Sequence, residues 1–471
     1  MRSSRLIATA IALALTLVPT AIAQSTGPDV FVAALPNVSN YAAVGGTDAI
    51  SVGTTSCNQG DTPLLWQSSN PNHPVIGQNL YRVWEGRFDM IGRSWLKHGF
   101  TTVNNGICGS CSGPTGAQLY PGCSDPYSSG LNGSQGGLGP RFEVNADTGA
   151  FLYPYTDQGV TGNSIFKRLQ YSLADVDPAN YPGARYFVEG HYVAPDDAAA
   201  GNQNNNASYR EVAFSVTGAD STASFVGGTT TVQQVPAIGA WPLVDPNVAV
   251  QVVDIPNEGR LLVGFRATPQ PSGLVRYVYA VHNLNSHRSV RLVNVAMPTG
   301  ASVSNLTFNA PLWHSGEPYA NTAWPGAYVG NAVEWSTDTE AVDPNANAIR
   351  WGTTHTFSFD SNLAPTGTVS FGLFRARGRR RPSRRASRRP PRRPSCSPCR
   401  WARRTRCSRC RPPTSTSRRL RSRTAMTRRR PCSTSRSTGR ATRARRSPTW
   451  AGISTAWRSR RWPATRPSTG T

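Results

Sequence analysis

An all-β protein is predicted: two β-rich domains, the second an immunoglobulin-like sandwich, followed by a disordered Arg-rich tail. Three observations lead there. Short alternations of apolar and polar residues recur between turn residues. No stretch of the body keeps a 3.6-residue apolar period. The charge is also unevenly placed: of 50 Lys and Arg residues in 471, 32 lie beyond position 375, where none of the 25 acidic residues is found. Residues 1–375 thus hold 18 basic against 25 acidic groups, a net charge of −7. The overall charge of +25 therefore does not mark the folded body as a nucleic-acid binder.

The chain opens with the pattern of a cleaved secretory signal over residues 1–23. Arg2 and Arg5 supply the positive start, Leu6 to Leu17 an apolar run, and Ala21-Ile22-Ala23 a small-x-small cleavage site before Gln24. That run is shorter than the roughly 20 residues a membrane helix needs, so no membrane span is expected after cleavage. The mature protein is expected to be secreted, extracellular or periplasmic.

Residues 24–216 read as an N-terminal β-rich domain. Leu80 to Trp84 and Arg87 to Ile91 are joined by Glu85-Gly86, a two-residue hairpin connection in which Gly takes positive φ at no cost. Residues 217–240 are rich in Gly, Thr and Ser, with Gly227-Gly228-Thr229-Thr230-Thr231 at their centre, and read as a linker. Residues 241–375 read as the sandwich. Val248 to Ile255 and Arg260 to Thr268 flank a Pro256-Asn257-Glu258-Gly259 turn. A further hairpin is expected between Leu274 to Asn283 and Val290 to Ala296, across Leu284 to Ser289.

After Arg375 the alphabet changes. Of the last 96 residues, all but Leu420, Met426 and Ile453 are Arg, Pro, Ser, Thr, Ala, Gly, Cys or Trp. These eight types share a G or C in the middle codon position, so a frame slip in a GC-rich gene would generate this composition. Residues 376–471 are read as out-of-frame translation, with a true disordered basic arm as the alternative. The Cys396-x-x-Cys399 and Cys407-x-x-Cys410 pairs have zinc-ribbon spacing, but no strand or turn pattern surrounds them.

The body has four cysteines, Cys57, Cys108, Cys111 and Cys123. In an oxidising compartment an even count predicts two disulfides, with three pairings open. A four-thiolate zinc site is the alternative.

No nucleophile elbow, H-E-x-x-H, phosphate loop or dinucleotide fingerprint is present. What remains is fragmentary. Glu189 and His191 share one face of an expected strand over 185–193, and Asp196 and Asp197 follow in a turn. Together they are candidate ligands for Ca or Zn, or candidate acid/base groups. His98, and Asp175 and Asp177 with Asn180, are weaker candidates. Trp313 and Trp324, among Pro- and Gly-rich turns, are candidate platforms for stacking on a sugar.

The run Asn347-Ala348-Ile349-Arg350-Trp351-Gly352-Thr353, followed by His355-Thr356-Phe357-Ser358-Phe359-Asp360, resembles the closing strands of an uncharacterised family of secreted bacterial β-rich proteins. Trp95-Leu96-Lys97-His98-Gly99-Phe100 and Asn204 to Glu211 are similar to its first part. The likeness covers most of residues 28–375 and implies a β fold with no assigned activity. In that family the last strand runs into a Pro-Gly exit, whereas here Ala376-Arg377 follows Arg375. The expected function is a secreted, non-catalytic binding or surface component, with carbohydrate or the cell envelope as partner. The alternative is a secreted hydrolase or metal-dependent enzyme using Glu189, His191 and Asp197. A purely structural surface-layer or adhesion component is a third class.

Overall fold

The computed structural model describes residues 24–314 and 316–376, and the backbone of 452–456. The expected signal segment, residues 1–23, lies outside the described residues, as does the Arg-rich end apart from Ala376 and Gly452–Ala456. The fold is all-β, and every pairing between its strands is antiparallel. The larger sheets stack in layers. First comes a three-stranded sheet of Val30–Ala34, Thr54–Asn58 and Ser124–Tyr127. A ten-stranded sheet follows, whose centre is formed by Ala207–Thr217, Arg185–Val193, Val75–Trp84 and Arg87–Arg93. Beyond it lie two five-stranded sheets, the faces of a sandwich.

Period-2 alternation assigns neighbouring residues to different layers. Leu80, Val188 and Tyr192 pack with Val30 and Val32 of the first sheet. Their neighbours Tyr81 and Phe187 turn the other way and share a core with Ile238, Trp241, Leu262, Val278 and Ala280. In the sandwich, Leu261, Val263, Tyr279 and Phe357 face Val293, Val295 and Trp335 of the outer sheet. Strands buried on both faces, such as Arg185–Val193 and Thr353–Ser361, hold both layers at once.

Glu85 and Gly86, with φ of 45° and 71°, connect Val75–Trp84 to Arg87–Arg93 as expected. The 256–259 turn likewise joins Ala249–Ile255 to Gly259–Pro269. The third hairpin is corrected. Val275–Asn283 pairs with Gly259–Pro269 and Thr353–Ser361, while Val290–Ala296 lies in the opposite sheet beside Ala332–Ser336 and Thr368–Leu373. The connection is an arch between sheets, set by Asn283, which donates to Ser286 O and Ile349 O and accepts from Ser286 N. Alternation along a strand is the same for a hairpin and for an arch, so the sequence pattern cannot separate them.

Residues 217–240, read as a linker, carry structure instead. Asp220–Phe225 extends the large sheet beside Ala207–Thr217, and Ala237–Ala240 forms a 3-10 turn. Ser221 gives both its amide and its hydroxyl to buried Asp48, and Thr231 accepts from Leu35 N. Small polar residues here serve sheet hydrogen bonds rather than flexibility. At the other end, the backbone of Gly452–Ala456 pairs with Thr368–Leu373 at the rim of the outer sheet.

Among the described residues the four cysteines form two disulfides, Cys57–Cys108 and Cys111–Cys123. The first ties the Gly-rich stretch around 106–122 to the strand Thr54–Asn58, and the second closes that stretch on itself. Among the described residues no helix is long and apolar enough to cross a membrane.

Candidate functional site

Glu189 and His191 do share a face, but that face is sealed. The two residues are 0 % and 1 % exposed, at the junction between the ten-stranded sheet and the sandwich. Glu189 accepts from Asn79 Nδ2 at 2.7 Å, Tyr81 OH at 3.3 Å and the amide of Ala237 at 2.7 Å. Burial pushes its pKa up, against the pull of these donors and of Arg141. His191 meets the Trp351 ring edge-on at 5.9 Å. Burial, then the nearby His282 and Arg141, lowers its pKa to about 3, so the ring is neutral at ordinary pH.

Asp196 and Asp197 do not join them. They stand in the first turn of a short helix, Pro195–Ala200, which begins on proline and ends at Gly201 with φ of 84°. Asp197 Oδ1 accepts from Val30 N at 3.0 Å and Oδ2 from Asn206 Nδ2 at 2.8 Å. Asp196 Oδ2 accepts from Leu65 N at 2.6 Å. These carboxylates satisfy backbone donors of the first sheet and its loops. Among the described residues no group of three or more His, Cys, Asp or Glu is placed to hold a metal ion. Asp175 is bound to Arg82 at 2.9 Å, and Asp177 caps the turn through Ala179 N.

His98 has a partner that sequence reasoning missed. Its Nδ1 lies 2.9 Å from His73 Nε2, and its ring stacks on Tyr155 at 3.6 Å. Burial, with the charges of His73 and Lys97, lowers its pKa to about 2. His73 sits in a loop without periodic pattern and gave no local signal.

The aromatic candidates are corrected as well. Trp313 and Trp324 are 8 % and 2 % exposed, so neither offers a face to a sugar. Asn347 explains why: its Oδ1 accepts from Trp313 Nε1 at 2.8 Å, and its carbonyl from Trp324 Nε1 at 2.5 Å. Pro- and Gly-rich turns bend the chain so that both indoles reach this residue. The 347–353 run is therefore a latch. Arg350 stacks on Tyr319 at 3.5 Å, and Trp351 Nε1 donates to Arg141 O across the junction.

A ligand-sized concavity lies elsewhere. A cleft of about 570 Å³ is lined by Asp147 and Thr148, the helix residues Ala198 and Ala199, Gln203 and Asn204 of the Asn-rich loop, and the 254–259 turn of the sandwich. Its volume is within the roughly 300–1,000 Å³ of ligand pockets, and its amide and carboxylate side chains share the lining with Ala198, Ala199, Ile255 and Pro256. Asn145 Oδ1 accepts from Asp147 N and shapes that turn. Burial, then the charge of Glu258, raises the Asp147 pKa to about 6. Glu258 itself accepts from Ser286 Oγ and Arg288 N. Gln203 Oε1 is buried without a hydrogen-bonding partner. These residues come from three distant stretches, which no local sequence pattern brings together.

Among known proteins, no family profile matches the chain, and neither does any curated protein. Among solved structures, it is similar to the N-terminal domain of a Streptococcus gordonii adhesin at 10% identity, over 74% of this chain and 94% of that chain, with a TM-score of 0.16. That likeness is too distant to inform either fold or function.

Proposed function

We propose that the protein is exported and acts as a non-catalytic binding component, taking a hydroxyl-rich ligand, a carbohydrate or glycosylated envelope polymer, in the cleft between the Asn-rich loop and the 254–259 turn. The observation that carries this reading is Gln203 Oε1, a buried acceptor with no partner on the wall of a ligand-sized cleft. An unmade hydrogen bond on a buried polar atom costs about 1–3 kcal/mol, and a turn of the Gln203 amide toward the cleft would let a ligand hydroxyl relieve it. The amides of Asn204 and Asn257 and the carboxylates of Asp254 and Glu258 add the donors and acceptors that sugar hydroxyls require. Export is supported by the two disulfides.

The test is a glycan panel followed by calorimetry on the best ligand. Gln203→Ala is expected to weaken affinity about tenfold, equivalent to about 1.4 kcal/mol. An unchanged affinity, or no glycan bound at all, rejects the cleft as the site.

A second reading has one observation in its favour: the pKa of Asp147, raised by burial and then by the charge of Glu258, fits one half of an acid and base pair. It requires bond cleavage in the same cleft. Release of reducing ends by the native protein, lost in Asp147→Asn, would establish a glycoside hydrolase; binding without release keeps the first reading.

A further inference from the structure

A second, smaller cavity at the junction has the opposite character, and four arginines line it: Arg93, Arg141, Arg350 and Arg375. Arg93 forms a buried ion pair with Glu317, and Arg375 is held by Glu340 at 2.9 Å. The other two have no carboxylate in contact among the described residues. Arg141 donates to the carbonyls of Gln78, Ser94 and Gly352 and to Asn79 Oδ1; Glu317 and Glu189 act on it only through space. Arg350 donates to the carbonyls of Pro344 and Ala346. Four guanidinium groups therefore face two contacting carboxylates, of which Glu317 is buried and Glu340 lies at the solvent edge.

The arginines are also fixed in place. Arg93 lies 3.7 Å over the Trp313 ring and Arg350 3.5 Å over Tyr319, so neither swings out to solvent without losing a stacked contact. They are 2 % and 6 % exposed, and the Nε–H of each is buried without an acceptor. Burial lowers both pKa values only to about 10, which leaves them charged at neutral pH. His287, whose pKa burial and the neighbouring Arg375 and Arg350 reduce to about 4, adds no compensating charge. Unpaired buried charge is strongly disfavoured. The cavity measures about 20 Å³, enough for roughly one water-sized occupant.

We propose that this cavity is a binding site for a single halide-sized monovalent anion, held by the Arg93 and Arg350 guanidinium groups. The anion completes the charge balance of the junction and takes up the orphaned Nε–H donors. It is independent of the cleft ligand and acts by stabilising the contact between the large sheet and the sandwich.

The experiment uses the full chain in sodium chloride–sodium gluconate mixtures at constant ionic strength, so that the Arg-rich end meets the same screening throughout. Gluconate is too bulky for the cavity. The thermal unfolding midpoint is expected to rise by several degrees between 1 and 100 mM chloride, roughly as mass action requires, and to lose that rise in Arg350→Gln. Crystals grown in bromide are expected to show one anomalous peak between Arg93 and Arg350. Equal midpoints in chloride and gluconate, or a bromide map without that peak, overturn the proposal. If Arg350→Gln does not fold, the bromide map of the native protein decides alone.

Discussion

The two halves of the molecule are held together by different means. The sandwich is built on an apolar cluster between its sheets, with Phe357, Phe359, Trp335 and Val293 at its centre, and its buried polar side chains, such as Asn283, His355 and Asp360, surround that cluster. The first half buries carboxylates, amides and cations, among them Glu189, Asn79, Arg93 and Lys167, and adds two disulfides. Packing alone is non-directional and tolerant of substitution. A buried polar network is costly when any member is missing. The first half, with long loops at 99–123 and 140–168, needs directional bonds and covalent ties where its strands do not reach.

The comparison is broken most sharply in the sandwich. Phe357→Ala removes a ring shared by Phe308, Trp324 and Trp335 and is expected to cost about 3–5 kcal/mol, measured by urea unfolding. A loss below 1 kcal/mol would mean that the sandwich is loosely packed. In the first half, removing the Cys57–Cys108 tie, 51 residues apart, by Cys57→Ser with Cys108→Ser should cost about 4 kcal/mol in the chain-entropy view. Nearly unchanged stability would show that its hydrogen bonds suffice alone. Glu189→Gln places an amide donor among the donors of Asn79, Tyr81 and Ala237; a loss of about 1–3 kcal/mol is expected, whereas a gain would show that the carboxylate is strained.

Acid sharpens the comparison further, since both halves bury neutral histidines. His98 and His191 in the first, and His282 and His355 in the second, have pKa values lowered to about 2, 3, 3 and 3 by burial. A base whose folded pKa lies below its unfolded value contributes stability that is complete above about pH 6.5 and declines as pH falls toward 3. Each is expected to contribute about 2 kcal/mol of loss by pH 5, and His191→Gln should flatten the dependence. A flat profile from pH 7 to 5 in the native protein contradicts the buried neutral state. The smallest effect is at the Glu85-Gly86 turn. A Cβ on Gly86, at φ of 71°, meets the Arg266 guanidinium at 2.6 Å, so Gly86→Ala should cost about 1 kcal/mol. No change in the urea midpoint would show that Arg266 swings aside.

How much was legible follows from the same contrast. Strands such as 185–193 and the hairpins at 85–86 and 256–259 came from alternation and turn chemistry, which are local. Partner choice was not: the arch after Asn283 depends on hydrogen bonds to Ile349, 66 residues away. Trp313 and Trp324 were misjudged because their exposure is decided by Asn347, well downstream of both indoles. Glu189 and His191 were placed on one face correctly, but nothing local tells whether that face meets water or a second sheet. The cleft and the arginine cavity are assembled from distant segments, and their opposite charges vanish in a composition average.

The core shared by Tyr81, Phe187, Trp241 and Ala280 has a practical consequence for anyone handling the protein. Splitting the gene near codon 240 would strip each fragment of its neighbour and leave a greasy wall as wide as a sheet facing the solvent. Such pieces should clump when made separately, and regain solubility only when produced together.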